Sequence, residues 1–234
     1  SIMNFISLEQ SERITSILAM PKEKKAVEGL SLLMTTKGGT VKRVAAKSFY
    51  EVRRSGLIAI GLDKGDSLIS AQFAYKGDDA ILVTAKGQSI RFRADTVREM
   101  GRQAAGVRGM KLGSGDSIVG AGIVPKDAKD AELLVLSSTG YGKKTKLSEY
   151  KTQGRGGSGV KTMSITPKTK QLVGGAIVLA KGGELVAMSK KSQTIRTGLD
   201  EISTLSRATQ GVRVMKLREG DQLASFVVFE AVTE

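Results

Sequence analysis

The stretch Gln153-Gly154-Arg155-Gly156-Gly157-Ser158-Gly159 sets four glycines around one arginine. Two chemistries fit such a stretch. Gly154, Gly156 and Gly159 spell G-x-G-x-x-G, a turn that cradles a dinucleotide pyrophosphate when a strand precedes it, a helix follows, and an acid lies about 20 residues on. Alternatively, the missing side chains let a large polyanion approach the backbone N–H groups, while Arg155 offers a bidentate fork to a phosphate. The residues after Gly159 decide between them. "VKTMSIT" followed by Pro167 reads as a strand, and the first acid downstream is Glu184, in a different hairpin. The dinucleotide reading fails on both counts.

Bulk charge points the same way. The chain carries 37 Lys and Arg against 23 Asp and Glu, a net charge of +14 with a pI near 10.0, which favours a polyanionic partner. Aromatic residues make up 4% and Trp is absent. A single-strand binder needs aromatic platforms on which bases stack, so the expected partner is a nucleic-acid duplex, held by its phosphates. With no Cys and no His, Cys/His zinc sites, Ser-His-Asp and Cys-His triads, thiol chemistry and disulfides are ruled out. A cysteine-free chain fits a cytoplasmic location, and no apolar run approaches the roughly 18 residues of a membrane helix. The chain opens on Ser1 rather than Met, and the expectation is that Ser1 lies within a longer parent.

The elements that must position these residues repeat. "RRSGLIAIGLDKGDSLISAQF", "RQAAGVRGMKLGSGDSIVGAGI", "RGGSGVKTMSITPKTKQLVGGAI" and "RATQGVRVMKLREGDQLASFVV" align on Gly56, Gly106, Gly159 and Gly211, spaced by 50, 53 and 52 residues. A second motif alternates with the first: "SLLMTTKGGTVKRV", "AILVTAKGQSIRFR", "ELLVLSSTGYGKKTK" and "ELVAMSKKSQTIRT" each read as a β-hairpin. In the second copy this predicts strands at 57–62, 67–74, 79–84 and 88–93, with a single helical turn within 94–100. Four short strands per period of about 50 residues predict an all-β fold of propeller type. The expected layout is one domain over 1–234, with repeats at 1–55, 56–105, 106–158 and 159–210 and a half-repeat at 211–234. Trp-Asp and kelch propellers depend on Trp, which this chain lacks. Asp66, Asp116 and Asp221 recur in "GD" turns, which argues for structural carboxylates and against a catalytic role for the chain itself.

Cations recur with the same period. After the hairpin turns stand Lys42 and Arg43, then Arg91 and Arg93, then Lys143, Lys144 and Lys146, then Arg196. Before the key glycines stand Arg53 and Arg54, then Arg102, Arg155 and Arg207; two residues after them stand Arg108, Lys161 and Arg213. Strand cations also protect sheet edges, but a ladder that keeps the blade period predicts a phosphate track, with its main line through Arg43, Arg91, Lys144 and Arg196. The charge is uneven and thinnest over 56–105. A propeller that binds a protein or a small anionic ligand is the competing class.

"QGRGGSGVKTM" resembles the gyrase-A box, Q-R-R-G-G-K-G, of bacterial gyrase A proteins, and "GVRGMKLGSGDSIVG" and "LLMTTKGGTVKR" resemble the blades of that family's C-terminal domain. The resemblance implies a β-pinwheel of four to five four-stranded blades, part of a six-bladed domain, whose adjacent blades exchange strands. It implies duplex wrapping in support of negative supercoiling. It implies gyrase B and the rest of gyrase A as partners in an A2B2 complex, ATP and Mg used by other domains, and no cofactor in this one. The domain itself is expected to be monomeric and non-catalytic. The corresponding C-terminal domain of topoisomerase IV is the alternative within the family. Gly154 and Ser158 replace the box's first Arg and its Lys, so 153–159 is expected to be a secondary box, with the principal one upstream of Ser1.

Overall fold

Each hairpin closes by the same device. The first closes between β1 (Ser31–Thr36) and β2 (Thr40–Ala45). There, Gly39 N–H donates to Thr36 O at 3.0 Å and Thr40 N–H to Thr36 Oγ1 at 3.2 Å. Thr84, Ser137 and Ser189 accept the equivalent bonds in the later hairpins. A buried hydroxyl therefore ends the first strand of every hairpin, where it satisfies an amide that the ladder leaves over. The protein is described by a computed structural model that covers residue 12 and residues 14–50, 56–179 and 182–231.

Three further hairpins follow: β4 (Asp79–Thr84) with β5 (Gln88–Arg93), β8 (Glu132–Ser137) with β9 (Tyr141–Lys146), and β12 (Glu184–Ser189) with β13 (Thr194–Gly198). Each is joined on its first strand by a seven-residue strand from further along the chain: β3 (Leu68–Ala74), β7 (Ile118–Val124), β11 (Leu172–Val178) and β15 (Leu223–Phe229). On its other edge, each of the first three hairpins takes a two-residue strand from beyond the next hairpin in the chain. These strands are β6 (Val107–Arg108), β10 (Val160–Lys161) and β14 (Val212–Arg213). The sheets thus run β3-β1-β2-β6, β10-β5-β4-β7, β11-β8-β9-β14 and β13-β12-β15, antiparallel throughout. The long strands β3, β7, β11 and β15 contact one another in chain order. They form the inner side of an all-β pinwheel, and the exchanged short strands form its rim.

The core lies between blades. One apolar cluster joins Leu33 and Val41 of the first sheet to Leu82, Ile90 and Phe92 of the second. Another joins Ile81 and Val83 to Leu133 and Val135, and a third joins Leu134 and Leu136 to Leu185 and Leu223. This explains why β1 and β4 are buried at every position while β12, whose outer face has no blade against it among the described residues, alternates. The blades also approach closely at the inner strands. A Cβ on Gly120 of β7 would run into the backbone of Gly175 in β11, and one on Gly174 would stand 2.8 Å from Phe226.

Strands expected at 79–84 and 88–93 are present with those bounds, and the third begins at Leu68 rather than residue 67. The single helical turn in 94–100 is a 3-10 turn at Ala94–Thr96. The strand expected at 57–62 is absent. Its counterparts in later repeats are the two-residue strands, each of which pairs with the hairpin two before it in the chain, and among the described residues only one hairpin, β1–β2, precedes residue 57.

If blade spacing is set by these glycines, Gly120→Val should destabilise the fold by about 3 kcal/mol, as overpacking a dense core does. Gly113→Ala, which meets nothing within 4 Å, should change stability by less than about 0.5 kcal/mol. Urea denaturation followed by circular dichroism measures both; equal midpoints would show that the inner strands are not closely packed.

Candidate nucleic-acid interface

The rim is built from the turns that carry the key glycines. Gly61 N–H donates to Ala104 O at 3.2 Å, Lys111 N–H to Gly157 O at 2.9 Å, and Ser164 N–H to Thr209 O at 3.0 Å. In each case the amide five residues past one key glycine meets the carbonyl two residues before the next. Side chains repeat the link: Arg155 Nη1 donates to Arg108 O and Arg207 Nη1 to Lys161 O, both at 3.1 Å. Neighbouring turns are therefore tied into one continuous strip.

The turn 153–159 is fixed at several points. Gln153 N–H donates to Arg91 O at 2.8 Å and Gly156 N–H to Gly109 O at 2.6 Å, and Arg155 Nε donates to Thr96 O at 3.1 Å. Gly154, Arg155 and Ser158 face solvent, and Gly154 has open space where a side chain would stand. Val160–Lys161 follows as a strand, as expected, so nothing here resembles a dinucleotide turn.

The cation ladder divides into three kinds of site. Lys42 and Lys143 do not belong on a phosphate track, contrary to the sequence-based expectation. Both are fully buried, because the third position of the second hairpin strand points inward. Lys42 Nζ donates to Ala59 O at 2.8 Å and to Arg102 O; Lys143 Nζ donates to Arg207 O at 2.8 Å, to Thr209 Oγ1 at 3.0 Å and to Ser206 O. Ile90 and Ile195, likewise three residues past the positive-φ turn residues Gly87 and Ser192, are the equivalents in the second and fourth hairpins. Burial, and to a lesser extent the Arg207 charge, lower the Lys143 ammonium to about 8, although Glu149 opposes the shift. Burial lowers Lys42 as well.

The expected main line is a row of ion pairs. Arg43 meets Asp95 at 3.1 Å, Arg91 meets Asp79 at 2.8 Å, Lys144 meets Glu132 at 3.0 Å, and Arg196 Nε meets Glu184 at 2.7 Å. Arg93 stands 3.5 Å from Asp79 but is half exposed. These cations are neutralised by carboxylates of their own or the neighbouring blade and offer little net charge to a phosphate. The third kind is exposed and meets no carboxylate among the described residues: Arg102, Arg108, Lys146, Arg155 and Lys161. Arg213 joins them, lying 5.7 Å from the Tyr141 ring centroid. Arg207 is half-buried and faces Glu149. Arg53 and Arg54 lie outside the described residues.

Sequence reasoning passed over the hairpin-turn lysines. Lys86 and Lys111 line a cleft of about 460 Å³ together with Ser158 and Gly159. Lys37, Lys190 and Lys191 are exposed in the equivalent turns. The signal was present in "TTKGG", "TAKGQ" and "SKKSQ", which repeat as regularly as the strand cations. The "GD" carboxylates do have structural work. Asp66 Oδ1 accepts from Gly38 and Ser67 N–H, each at 2.8 Å, and Asp116 and Asp221 accept equivalent pairs. Burial pushes the Asp66 carboxyl up, but bonds from Thr36, Ser67 and Gly38 and the Lys37 charge outweigh it and hold it below the usual carboxylate range.

Comparison with known proteins decides the family. The family described as "DNA gyrase C-terminal domain, beta-propeller" matches residues 31–74, 78–125, 131–178 and 183–230. The chain belongs to this family. It is 37% identical over 225 residues to the DNA gyrase A protein of Lawsonia intracellularis, covering 96% of this chain and 27% of that protein. It is 36% identical over 222 residues to the DNA gyrase A protein of Escherichia coli, covering 95% and 25%. The chain therefore spans about a quarter of the length of the curated relatives it matches. A solved DNA gyrase A C-terminal domain superposes with a TM-score of 0.81 at 29% identity, covering 97% of this chain and 74% of that one. The C-terminal domain of DNA topoisomerase IV superposes at 0.88 with 25% identity, covering 98% and 70%.

The buried lysine carries a pH signature. A folded-state value of about 8, below the ordinary 10.5, means the folded chain binds fewer protons than the unfolded chain between those values. Stability should therefore rise with pH across that window. Lys143→Met should remove this rise, and amide exchange at 206–209 should quicken because two carbonyls lose their donor. Urea midpoints of both proteins across the window test it; parallel profiles would show that Lys143 is charged in both states.

Proposed function

We propose that this chain binds duplex DNA without sequence preference and bends it around the pinwheel rim, as the wrapping module of a type II topoisomerase. The observation that carries the reading is the continuous strip of cross-linked turns bearing Arg102, Arg108, Arg155, Lys161 and Arg213 outside any ion pair. Bending a 20–30 bp site by 40–90° costs of order 1–6 kcal/mol. Counterion release along a curved row of cations offsets that cost without base contacts. The chain contributes no catalytic group in this reading. Strand passage and the use of ATP and Mg belong to the rest of gyrase A and to gyrase B, in the bacterial cytoplasm. The superposition on the topoisomerase IV domain supports a second assignment within the same chemistry, in which the duplex is held but wrapped less completely.

Affinity for a linear duplex should fall with salt at a log–log slope of about −0.9 per phosphate neutralised. Single strands of the same sequence should bind more weakly. A shallow slope, or preference for single strands, would overturn the proposal.

Arg155→Ala should reduce the bend angle read by FRET more than Lys129→Ala does, because it removes both an exposed cation and a tie between neighbouring turns. If the bend is unchanged, the stretch 153–159 is a connecting turn only.

A further inference from the structure

Each of the three exchanged strands is preceded by a turn with an arginine four residues before its key glycine: Arg102, Arg155 and Arg207. Beside each turn lies the 3-10 turn that ends the hairpin with which the exchanged strand pairs, at Ala46–Phe49, Ala94–Thr96 and Leu147–Glu149. The third residue of that 3-10 turn is Ser48, Thr96 and Glu149 respectively. The first two are uncharged and the third is an acid.

The acid is seated on the turn it faces. Glu149 Oε2 accepts the Arg207 N–H at 3.1 Å and lies 3.9 Å from Arg207 Nε. The seat is prepared from below. Lys143 Nζ draws the Ser206 and Arg207 carbonyls inward. In a trans peptide the N–H points opposite to its C=O, so the Arg207 amide faces out. Arg207 is held in place by its bond to Lys161 O at 3.1 Å and by the Tyr150 ring, whose centroid is 5.9 Å away. One outward amide and one guanidinium edge face a single oxygen position, with the Lys143 ammonium fixing the peptide from the inner side, which makes a seat for one anionic oxygen. In the second blade the corresponding Arg155 Nε donates to the main-chain carbonyl of Thr96, and no carboxylate stands there.

We propose that Glu149 is an internal substitute for a DNA phosphate, which masks the turn at 206–211 and leaves 153–159 as the stronger of the two. The inference rests on the duplex binding proposed above and names the residue that grades one turn against the other. A phosphate diester oxygen must displace Glu149 to reach Arg207, and the displaced carboxylate then repels it. Removing the acid opens the seat at no cost to the core, since Glu149 is more than one-third exposed.

The test compares the wild-type 234-residue chain with Glu149→Thr, which copies the second blade. Asp127→Asn, an exposed acid in the turn after β7, matches the change in net charge. Binding of a linear mixed-sequence duplex is measured across a salt series. E149T should bind several-fold tighter at low salt, with a slope steeper by about 0.9, the value for one added phosphate contact. D127N should match the wild-type slope, and adding Arg207→Ala to E149T should abolish the gain. E149Q, which keeps the side-chain length, should show the same direction and guards against a local folding defect in E149T. The proposal is overturned if E149T and E149Q behave like D127N, or if the gain survives R207A. Failure of the wild-type chain to bind duplex at all would instead sink the wrapping function, and this inference with it.

Discussion

The architecture depends on one close approach, repeated at every blade junction. Gly106, Gly159 and Gly211 all have positive φ, at 109°, 73° and 76°. A Cβ on Gly106 would stand 2.6 Å from Val41 O, and one on Gly211 2.6 Å from Gly142 O; Gly159 lies as tightly against Ser89 O. Any other residue would be strained by its backbone and blocked by the neighbouring strand. The absence of a side chain lets the chain cross onto a hairpin two places earlier in the chain, and two residues of strand are enough to fix the crossing. Gly56 shares the positive φ of 73° but meets nothing within 4 Å; among the described residues only β1–β2 precedes it, and no hairpin stands two places before it. The same glycines that looked like a ligand motif in the sequence are thus first a requirement of strand exchange.

Charge in this chain is sorted by depth rather than by residue type. The third and fourth positions of the second hairpin strand are adjacent in sequence but opposite in direction. The third goes into the interface with the turn and is either an amine with carbonyl partners or an isoleucine. The fourth stays in the blade and finds a carboxylate. A buried amine in this setting is sustained by the carbonyls it gathers, because desolvation without them would be costly. Only the third group, on the turns and exchanged strands, is free to act on a partner. A net charge of +14 therefore overstates the local field that any one surface presents, because part of it is buried or paired.

Much of the fold was legible because the repeats are internal controls on one another. Four hairpins with the same hydroxyl position, such as Thr36 and Thr84, and three with the same turn glycine leave little freedom in the local reading. The short strand at 57–62 was misjudged because its formation depends on a neighbour and not on its own sequence. The interface was less legible. Lys42 and Lys143 sit beside Arg43 and Lys144, and alternation alone does not say which face is covered when both faces of a blade are packed. The pairing of Arg91 with Asp79, twelve residues away, is visible only once the hairpin register is known. The turn lysines were overlooked because a lysine in a turn looks like ordinary surface, even when it recurs at Lys37 and Lys86.

The separation of backbone from side-chain work has a consequence for how such a rim can change. Turn-to-turn spacing is set by main-chain hydrogen bonds from Gly61, Lys111 and Ser164, which do not depend on the identity of the side chains around them. Substitutions at the exposed positions can therefore alter the grip on a polyanion without altering the curvature that the polyanion must adopt. Curvature is instead held at the inner strands, where Gly120 meets Gly175 and where Gln72 donates to Ala121 O at 2.8 Å and accepts from Ile123 N–H at 3.0 Å. A rim already curved before its partner arrives need not spend binding energy on its own rearrangement, so what counterion release supplies goes into bending the partner. The Gly-rich turn at 153–159 leads into β10, which completes the second sheet, and keeps Arg155 exposed at the surface, which is where the proposed duplex contact requires it.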